Sequence, residues 1–137
     1  MGIDPGEKRI GLAVSDPLGI TAQGLPTLEV RTPDDAVLQI AAVARRVQAA
    51  GIIIGLPLNM DGTEGEEARR AYRLGARLEE TARLPVAFRD ERLTSRQAEQ
   101  VLLSGDLSRE RRKKEIDRVS AQIILQCYLD EGGNSGA

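Results

Sequence analysis

Ile52-Ile53-Ile54-Gly55-Leu56 is the stretch of the chain that decides the fold. Three consecutive β-branched residues are typical of a strand that is covered on both faces, because a half-exposed strand alternates apolar and polar residues. Helical patterns flank this strand in the sequence. A strand between two helices indicates parallel pairing in an α/β sheet with helices on both faces.

The two flanking helices carry recognisable start and stop signals. Thr32-Pro33-Asp34-Asp35 predicts the start of the first helix, since threonine caps, proline suits the first helical position and acids face the positive end of the helix dipole. We expect Gly51 to close that helix. Thr63-x-x-Glu66 reads as a capping box that opens the second helix, which should end before Leu84-Pro85.

The other elements follow from alternation and turn signals. Strands are predicted to end at Asp4, to cover residues 10–14 and 20–30 as a meander, and to cover residues 86–89. A capping box at Thr94-x-x-Gln97 with Gly105 predicts one further helix, and residues 111–131 predict the last. The chain is therefore expected to form one mixed five-stranded sheet, an antiparallel meander plus parallel strands, in a single domain of residues 1–131. Residues 132–137 are predicted to be a disordered tail, and the short first strand leaves open a natural start upstream of Met1.

Composition restricts the chemistry. Of 137 residues, 41% are hydrophobic and 29% charged, which fits a globular protein. With no histidine and one cysteine, Cys127, the chain has no imidazole base, no His- or thiolate-held zinc and no internal disulfide. Any metal must be held by oxygen, which suits Mg²⁺ or Mn²⁺. No apolar run is long enough for a membrane span and no signal peptide is evident, so we expect a cytoplasmic protein.

Basic residues are clustered although the net charge is −2. One interpretation is that each cluster is a solvated helix face or loop. The other is that the clusters together form a basic margin around an acidic site. The clusters lie at residues 45–46, 69–70, 89–96 and 109–114.

Acids stand at three places in the predicted elements, which are two strand ends and the edge of an apolar stripe. Asp4 ends the first strand, Asp90 and Glu91 end the last, and Asp117 borders the apolar stripe of the final helix. Ligands of open α/β sheets gather at the strand carboxyl ends. Asp4 could equally form an ordinary turn, Glu91 could be surface charge, and Asp117 could pair with Lys113 one turn before it. If the three converge, they could hold two divalent ions roughly 4 Å apart and support phosphodiester hydrolysis.

Four segments in the same order resemble the YqgF/RuvX family and cover nearly the whole chain. They are Gly2-Ile3-Asp4-Pro5-Gly6-Glu7-Lys8-Arg9-Ile10-Gly11-Leu12-Ala13-Val14-Ser15-Asp16, Gly55-Leu56-Pro57-Leu58-Asn59-Met60-Asp61-Gly62, Asp90-Glu91-Arg92-Leu93-Thr94-Ser95 and Lys114-x-x-Asp117-x-x-Ser120-Ala121-x-x-Ile124-Leu125-Gln126-x-Tyr128-Leu129. Together these segments are far more specific than any one of them.

The resemblance implies an RNase H-like fold related to RuvC, and a metal-dependent nuclease that uses Mg²⁺ or Mn²⁺. It carries over Asp4, Glu91 and Asp117 as catalytic and metal-binding acids. It also implies one of two roles, trimming the 5′ end of precursor 16S ribosomal RNA, which we favour, or resolving branched DNA. RuvC-type enzymes have an acid at the end of the strand after the first helix. Here no acid occurs there before Asp61, so Glu91, Asp90 or Asp61 must complete the site.

Substrate contacts are expected to rest on the nucleic-acid backbone, because aromatic residues make up only 2% of the chain. Lys8 and Arg9 lie beside Asp4 in sequence and could bind phosphate. The loop from Asn59 to Gly65 could close over substrate, or could be a plain connection. The full set of predicted substrate-binding residues is Lys8, Arg9, Asn59, Arg92, Arg112, Lys113 and Lys114.

Two other functional classes compete with the nuclease. One is a non-catalytic nucleic-acid-binding module with vestigial acids. The other is a nucleotide-linked phosphotransfer protein like the actin-like ATPases, for which this chain is too short to supply the second domain. Monomer and homodimer both remain open, although paired cuts on a two-fold junction need a dimer.

Overall fold

A computed structural model describes residues 1–91 and 109–131 of the chain. Strands and helices alternate as the sequence predicts after an opening meander. The elements are β1 (Gly2–Asp4), β2 (Arg9–Ser15), β3 (Ala22–Glu29), α1 (Pro33–Arg46), β4 (Ile52–Leu56), α2 (Glu66–Ala82), β5 (Val86–Asp90) and α3 (Arg109–Asp130). The predicted helix between Thr94 and Gly105 and the predicted tail at residues 132–137 lie outside the described residues.

The five strands form one sheet in the order β3-β2-β1-β4-β5. β1 pairs antiparallel with β2, and β2 with β3, while β1–β4 and β4–β5 are parallel. The predicted mixed sheet is confirmed. The order places the three-residue β1 in the centre of the sheet. Because β1, β4 and β5 are parallel, their carboxyl ends lie at the same edge of the sheet.

The isoleucine run of β4 contacts both cores. Ile52 and Ile54, which are fully buried, pack with α1 and α2, and Ile53 packs on the opposite face with α3. The prediction of a strand covered on both faces is therefore confirmed. In the described part of the chain no helix is long and apolar enough to cross a bilayer.

Helix α1 starts as predicted but ends earlier. Thr32 caps it, with Oγ1 accepting the Asp35 backbone N–H at 3.0 Å. The predicted end at Gly51 is wrong: the helix ends at Arg46, and Gln48 takes the left-handed conformation with φ 55°. The backbone N–H groups of Gln48 and Ala49 donate to the last carbonyls of the helix in a Schellman arrangement. Gln48 therefore ends the helix in place of the predicted glycine.

The predicted capping box of α2 is also wrong. The N-cap is Gly65, which makes no side-chain hydrogen bond. The Thr63 hydroxyl instead donates to Asp61 Oδ1 at 2.6 Å inside the preceding loop. The helix begins at Glu66, where acids still face its positive end. Its end before Leu84-Pro85 is confirmed.

Glycines let α3 lie directly on the sheet. A Cβ on Gly2 would stand 2.8 Å from Leu125 Cβ, and one on Gly24 would stand 2.6 Å from Arg118 Cγ. Gly2 and Gly24 are the cross-strand partners of Ala13, on either side of it. This row of small residues sets how closely α3 approaches β1, β2 and β3, and so fixes the height of its side chains over the sheet.

Candidate active site at the carboxyl ends of the central strands

Asp4 ends the central strand and is almost fully buried, with 9% exposure. Its cross-strand neighbour on β2 is Gly11. A carboxyl group buried at the centre of a sheet is costly unless it is paired or bound. The ordinary turn that the sequence allowed at this position therefore does not describe the side chain.

Glu91 follows β5 and is the acid that reaches Asp4. Its backbone N–H donates to the Leu56 carbonyl at 3.3 Å, which extends the β4–β5 pairing by one residue. Its side chain is buried, with 8% exposure, whereas the Asp90 and Asp61 side chains are exposed. Of the three acids that the sequence left open, Glu91 is the one that the fold turns inward.

Asp117 approaches from α3 because of one glycine. A Cβ on Gly11 would overlap the Asp117 carbonyl oxygen, so only glycine allows the helix backbone this close to β2. Since Gly11 pairs with Asp4, this contact brings Asp117 over the end of β1. Asp4, Glu91 and Asp117 are referred to below as the carboxyl cluster.

Within the carboxyl cluster, Asp4 and Glu91 lie within hydrogen-bonding reach of each other, and a hydrogen bond between two carboxyl groups requires a proton on one of them. The Glu91 oxygen Oε2 is buried and has no hydrogen-bond partner in the structure described. It packs on Gly55, where a Cβ would collide with it and would stand 2.5 Å from Ile124 Cδ1. The acid thus occupies a space that only glycine leaves open.

Burial disfavours the charged forms of all three acids, and repulsion from neighbouring acids adds to this at Asp4 and Glu91. The pKa of Asp4 is raised well above its usual value, mainly by burial and then by the neighbouring Glu91 and Asp117. Burial also raises the pKa of Glu91, an effect that its hydrogen bond with Asp4 partly offsets. The pKa of Asp117 is raised by burial, against the opposing influence of Arg9. Perturbed carboxyls of this kind are typical of functional sites.

Arg9 supplies the positive charge beside the carboxyl cluster. Its Nε donates to Asp117 Oδ2 at 3.2 Å. The sequence suggested Lys113 as the partner of Asp117, but the side chain of Lys113 lies outside the described part. Arg9, predicted to bind phosphate, instead lies on the acid.

The carboxyl cluster has the donors for a hard divalent cation, because all of them are oxygens. The buried, unpartnered Glu91 Oε2 is the kind of atom that a bound ion would satisfy. Among the described residues, however, no group of three or more acids is already arranged to hold an ion. The residues therefore fit Mg²⁺ or Mn²⁺ once the Arg9–Asp117 pair opens and Asp4 and Glu91 are both charged.

The other predicted substrate-binding residues divide into two groups. Lys8 is exposed in the turn between β1 and β2, close in sequence to Asp4. Asn59 is exposed, but its amide donates to Thr63 Oγ1 at 2.9 Å and braces the loop after β4. Arg92 lies outside the described residues, as do the side chains of Arg112, Lys113 and Lys114.

Sequence reasoning missed two features of the site. The glycines inside strands, Gly11 and Gly55, make room for Asp117 and Glu91, and a glycine within a strand is itself a signal of close approach. Ser120, one turn after Asp117, is fully buried, and its hydroxyl has no partner among the described residues. Its position in the apolar stripe gave no indication of this.

Comparison with known families identifies the lineage. The family described as RuvX, Holliday junction resolvase, matches residues 1–131. The chain belongs to the RuvX family. The match covers all the elements described above, so the resemblance carried by the four sequence segments is confirmed.

Curated relatives of this RuvX-family chain match over almost their whole length. A protein of Syntrophomonas wolfei, named as a candidate pre-16S rRNA nuclease, is 48% identical over 136 residues, covering 99% of this chain and 96% of its own. A protein of Moorella thermoacetica with the same name is 46% identical over 136 residues, covering 99% and 97%.

Solved structures establish the RuvC-like, RNase H-like fold of this RuvX-family chain. RuvC of Thermus thermophilus in complex with a Holliday junction superposes with a TM-score of 0.63 at 18% identity, over 96% of this chain and 94% of that one. The fowlpox virus resolvase with its junction DNA gives 0.56 at 12% identity, over 95% of each chain. At these identities the likeness shows the fold alone.

Proposed function

We propose that this chain is a metal-dependent endonuclease that acts on structured nucleic acid, with the 5′ end of precursor 16S rRNA as its substrate. The observation that carries the proposal is the carboxyl cluster, in which acids from three separate elements lie close together, Asp4 and Glu91 are buried, and Glu91 Oε2 has no hydrogen-bond partner among the described residues. Electrostatic repulsion among buried acids lowers the stability of the fold, and such destabilising clusters are typical of functional sites.

We propose Asp4, Glu91 and Asp117 as the catalytic and metal-binding residues. Divalent ions bound there would activate the attacking water and stabilise the leaving oxygen of the phosphodiester. Asp4 and Glu91 would both act as carboxylates. Arg9 would leave Asp117 and, with Lys8 on the same turn, contact the phosphate of the substrate backbone.

The comparisons support two substrates. The names of the curated relatives favour ribosomal precursor RNA. The description of the family and the junction bound to RuvC favour branched DNA, and paired cuts there would need a two-fold dimer. We propose RNA as the first candidate, with the cytoplasm as the place of action, because the relatives that share nearly half of this sequence carry that name.

The proposal is tested by incubating the purified chain with a labelled precursor 16S RNA fragment and with a four-way DNA junction, each in Mg²⁺, Mn²⁺ or EDTA. Glu91→Gln and Asp90→Asn form a matched pair, because the two acids are adjacent and only Glu91 is buried. We expect cleavage of RNA that requires metal, falls more than about 100-fold in Glu91→Gln, and persists in Asp90→Asn.

Preferential cleavage of the junction would replace RNA by branched DNA as the substrate. Binding of both nucleic acids without cleavage would favour the non-catalytic module and remove the catalytic assignments. Equal loss of activity in both variants would show that burial does not distinguish the catalytic acid.

A further inference from the structure

A cavity of about 510 Å³ lies between α1 and α2, beside the turn that joins β1 to β2. Glu91 is part of its wall, as are Pro5 and Gly6, which directly follow Asp4. The α1–α2 cavity is therefore continuous with the carboxyl cluster. Its volume lies within the range of about 300–1,000 Å³ that small-molecule sites occupy.

The floor of the α1–α2 cavity is apolar. Aliphatic side chains from the sheet and from both helices form it, and two of them are alanines, which contribute only methyl groups and leave the space between the helices open. The floor comprises Ile10, Val30, Ala36, Val37, Ala71 and Leu74. A planar heterocyclic ring buried against such a surface gains hydrophobic and dispersion energy without needing an aromatic partner.

Arginines on one face of α2 line the wall. Arg70, Arg73 and Arg77 are spaced three and four residues apart, so they project from the same side of the helix into the cavity. Guanidinium groups are suited to phosphate because they bind it through paired hydrogen bonds.

The present partners of these arginines are weak competitors. Arg70 pairs with Glu7, Arg73 with Glu66 and Arg77 with Asp34, and the side chains of these acids are 75%, 65% and 79% exposed, respectively. Ion pairs this exposed contribute roughly 0–1 kcal/mol. A phosphate that enters the cavity can therefore displace an acid from its arginine at little cost.

Charge is distributed unevenly along the α1–α2 cavity. Glu67, near the start of α2, lies close enough to Glu91 to raise its pKa, so this end repels anions until cations bind. Arg77 lies ten residues further along α2, about 15 Å at 1.5 Å per residue. The N-terminus of α1 also borders the cavity, but there Thr32 already accepts the Asp35 N–H and acids fill the first turn. The guanidinium groups thus form the anion-binding end.

We propose that the α1–α2 cavity binds a single nucleotide of the substrate strand, with its base on the apolar floor and its phosphate at Arg73 and Arg77. The strand would continue from the cavity towards the carboxyl cluster. This inference rests on the proposed function for the origin of the nucleotide, but not for the chemistry of the pocket. A strand end or an unpaired nucleotide fits such a pocket, whereas a paired base does not.

The test uses the full chain in EDTA, so that no cleavage interferes. Adenosine 5′-monophosphate, adenosine and inorganic phosphate are titrated while amide shifts are followed by NMR, and a fluorescent single-stranded RNA dodecamer is titrated by anisotropy. Arg73→Gln is compared with Arg69→Gln. Both arginines pair with Glu66 and both side chains are 61% exposed, but only Arg73 lines the cavity.

We expect the monophosphate to shift the amides of Leu74 and Val37 and to bind at least five-fold more tightly than adenosine or phosphate. Arg73→Gln should weaken both the monophosphate and the dodecamer at least five-fold, with Arg69→Gln within two-fold of the wild type. Equal losses in the two variants would overturn the proposal, because they would reflect bulk charge.

Two other results separate the possible failures. A monophosphate that binds in the cavity while the dodecamer is indifferent to Arg73→Gln would overturn the assignment to the substrate strand and identify a free nucleotide. Metal-dependent cleavage with no ligand effect on the cavity would overturn this inference and leave the proposed function intact. Binding in the cavity without any cleavage would overturn only the proposed function.

Discussion

Arg9 on β2 donates its Nε hydrogen to Asp117 Oδ2 on α3 at 3.2 Å, across 108 residues of sequence. The pair is partly exposed, with side chains 35% and 23% accessible. A guanidinium group thus lies where a metal ion is expected to contact the same oxygen. Arg9 acts as the counter-ion of Asp117 in the carboxyl cluster, and any cation that binds there must compete with it.

Removing Arg9 should therefore strengthen metal binding. In Arg9→Gln we expect the affinity for Mn²⁺ to rise roughly 3–10-fold, about 0.7–1.4 kcal/mol, because Asp117 is freed and a positive charge is lost. Mn²⁺ binding is measured by electron paramagnetic resonance. Arg89→Gln is the matched control, since Arg89 Nε contacts Glu131 Oε2 at the same 3.2 Å with similar exposure of the arginine. Unchanged or weaker binding in Arg9→Gln would contradict the competition.

The stability of the metal-free chain should fall with rising pH because of the carboxyl cluster. Asp has a pKa of about 3.9 in an unfolded chain, and burial and neighbouring acids raise the folded pKa of Asp4. The stabilising contribution of Asp4 to the free energy of unfolding is therefore complete below about pH 4, and it is lost as the pH rises through the folded pKa. Asp4→Asn should raise the free energy of unfolding at pH 8 in EDTA by about 0.5–2 kcal/mol.

The measurement is urea denaturation of both proteins at pH 5 and pH 8. The gain in Asp4→Asn should be larger at pH 8, and the exposed Asp90→Asn should change little at either pH. A variant that loses stability at both pH values would show that Asp4 is held by favourable contacts.

Divalent cations should reverse this instability. Saturating Mn²⁺ at about 100 times its dissociation constant adds roughly 2.7 kcal/mol to the free energy of unfolding. We expect a rise in melting temperature that EDTA removes and that Asp4→Asn largely abolishes. Thermal scans with Mn²⁺, Mg²⁺ and EDTA measure it. An equal rise in wild type and variant would place the binding site elsewhere.

Gly11→Ala should displace Asp117. The added Cβ would overlap the Asp117 carbonyl oxygen, and over-packing of this kind typically costs about 1–3 kcal/mol. Nuclease activity should fall further than stability explains. In Gly51→Ala the Cβ would meet Pro85 atoms at an ordinary 3.5 Å, so stability should change by less than about 0.5 kcal/mol. Denaturation and cleavage assays on both variants check this, and full activity in Gly11→Ala would contradict it.

Ser120→Ala should be neutral or stabilising. The hydroxyl is fully buried and has no partner among the described residues, so its removal relieves a desolvation cost of about 1–3 kcal/mol. Urea denaturation in EDTA measures the change. A loss of stability would show that the hydroxyl has a partner, such as an ordered water.

Local signals in the sequence were sufficient for much of the fold. The isoleucine run of β4 and the Thr32 cap depend on neighbouring residues, and both predictions were confirmed. The Thr63 cap failed because the hydroxyl is engaged within the preceding loop, where it accepts from the Asn59 amide and donates to Asp61 Oδ1. The predicted end of α1 at Gly51 was wrong because backbone hydrogen bonds hold Gln48 in the left-handed conformation, which glycine adopts most readily.

The candidate site was less predictable. The acids could be selected by type and by place at element ends, but their convergence depends on how α3 lies on the sheet. That position is set by glycines on three strands, including Gly11 under Asp117. The pairing of Arg9 with Asp117 spans nearly the whole chain, and no local pattern encodes it.

The central place of β1 has a consequence for biosynthesis. Its three residues pair with β4 about fifty residues later and contact α3 more than a hundred residues later. Such pairings of high contact order form late, and a ribosome releases the N-terminal part of a chain first. Asp4 therefore lacks its neighbouring acids until α3 has emerged from the ribosome. We expect a nascent chain to have no hydrolytic capacity until the final helix has left the ribosome.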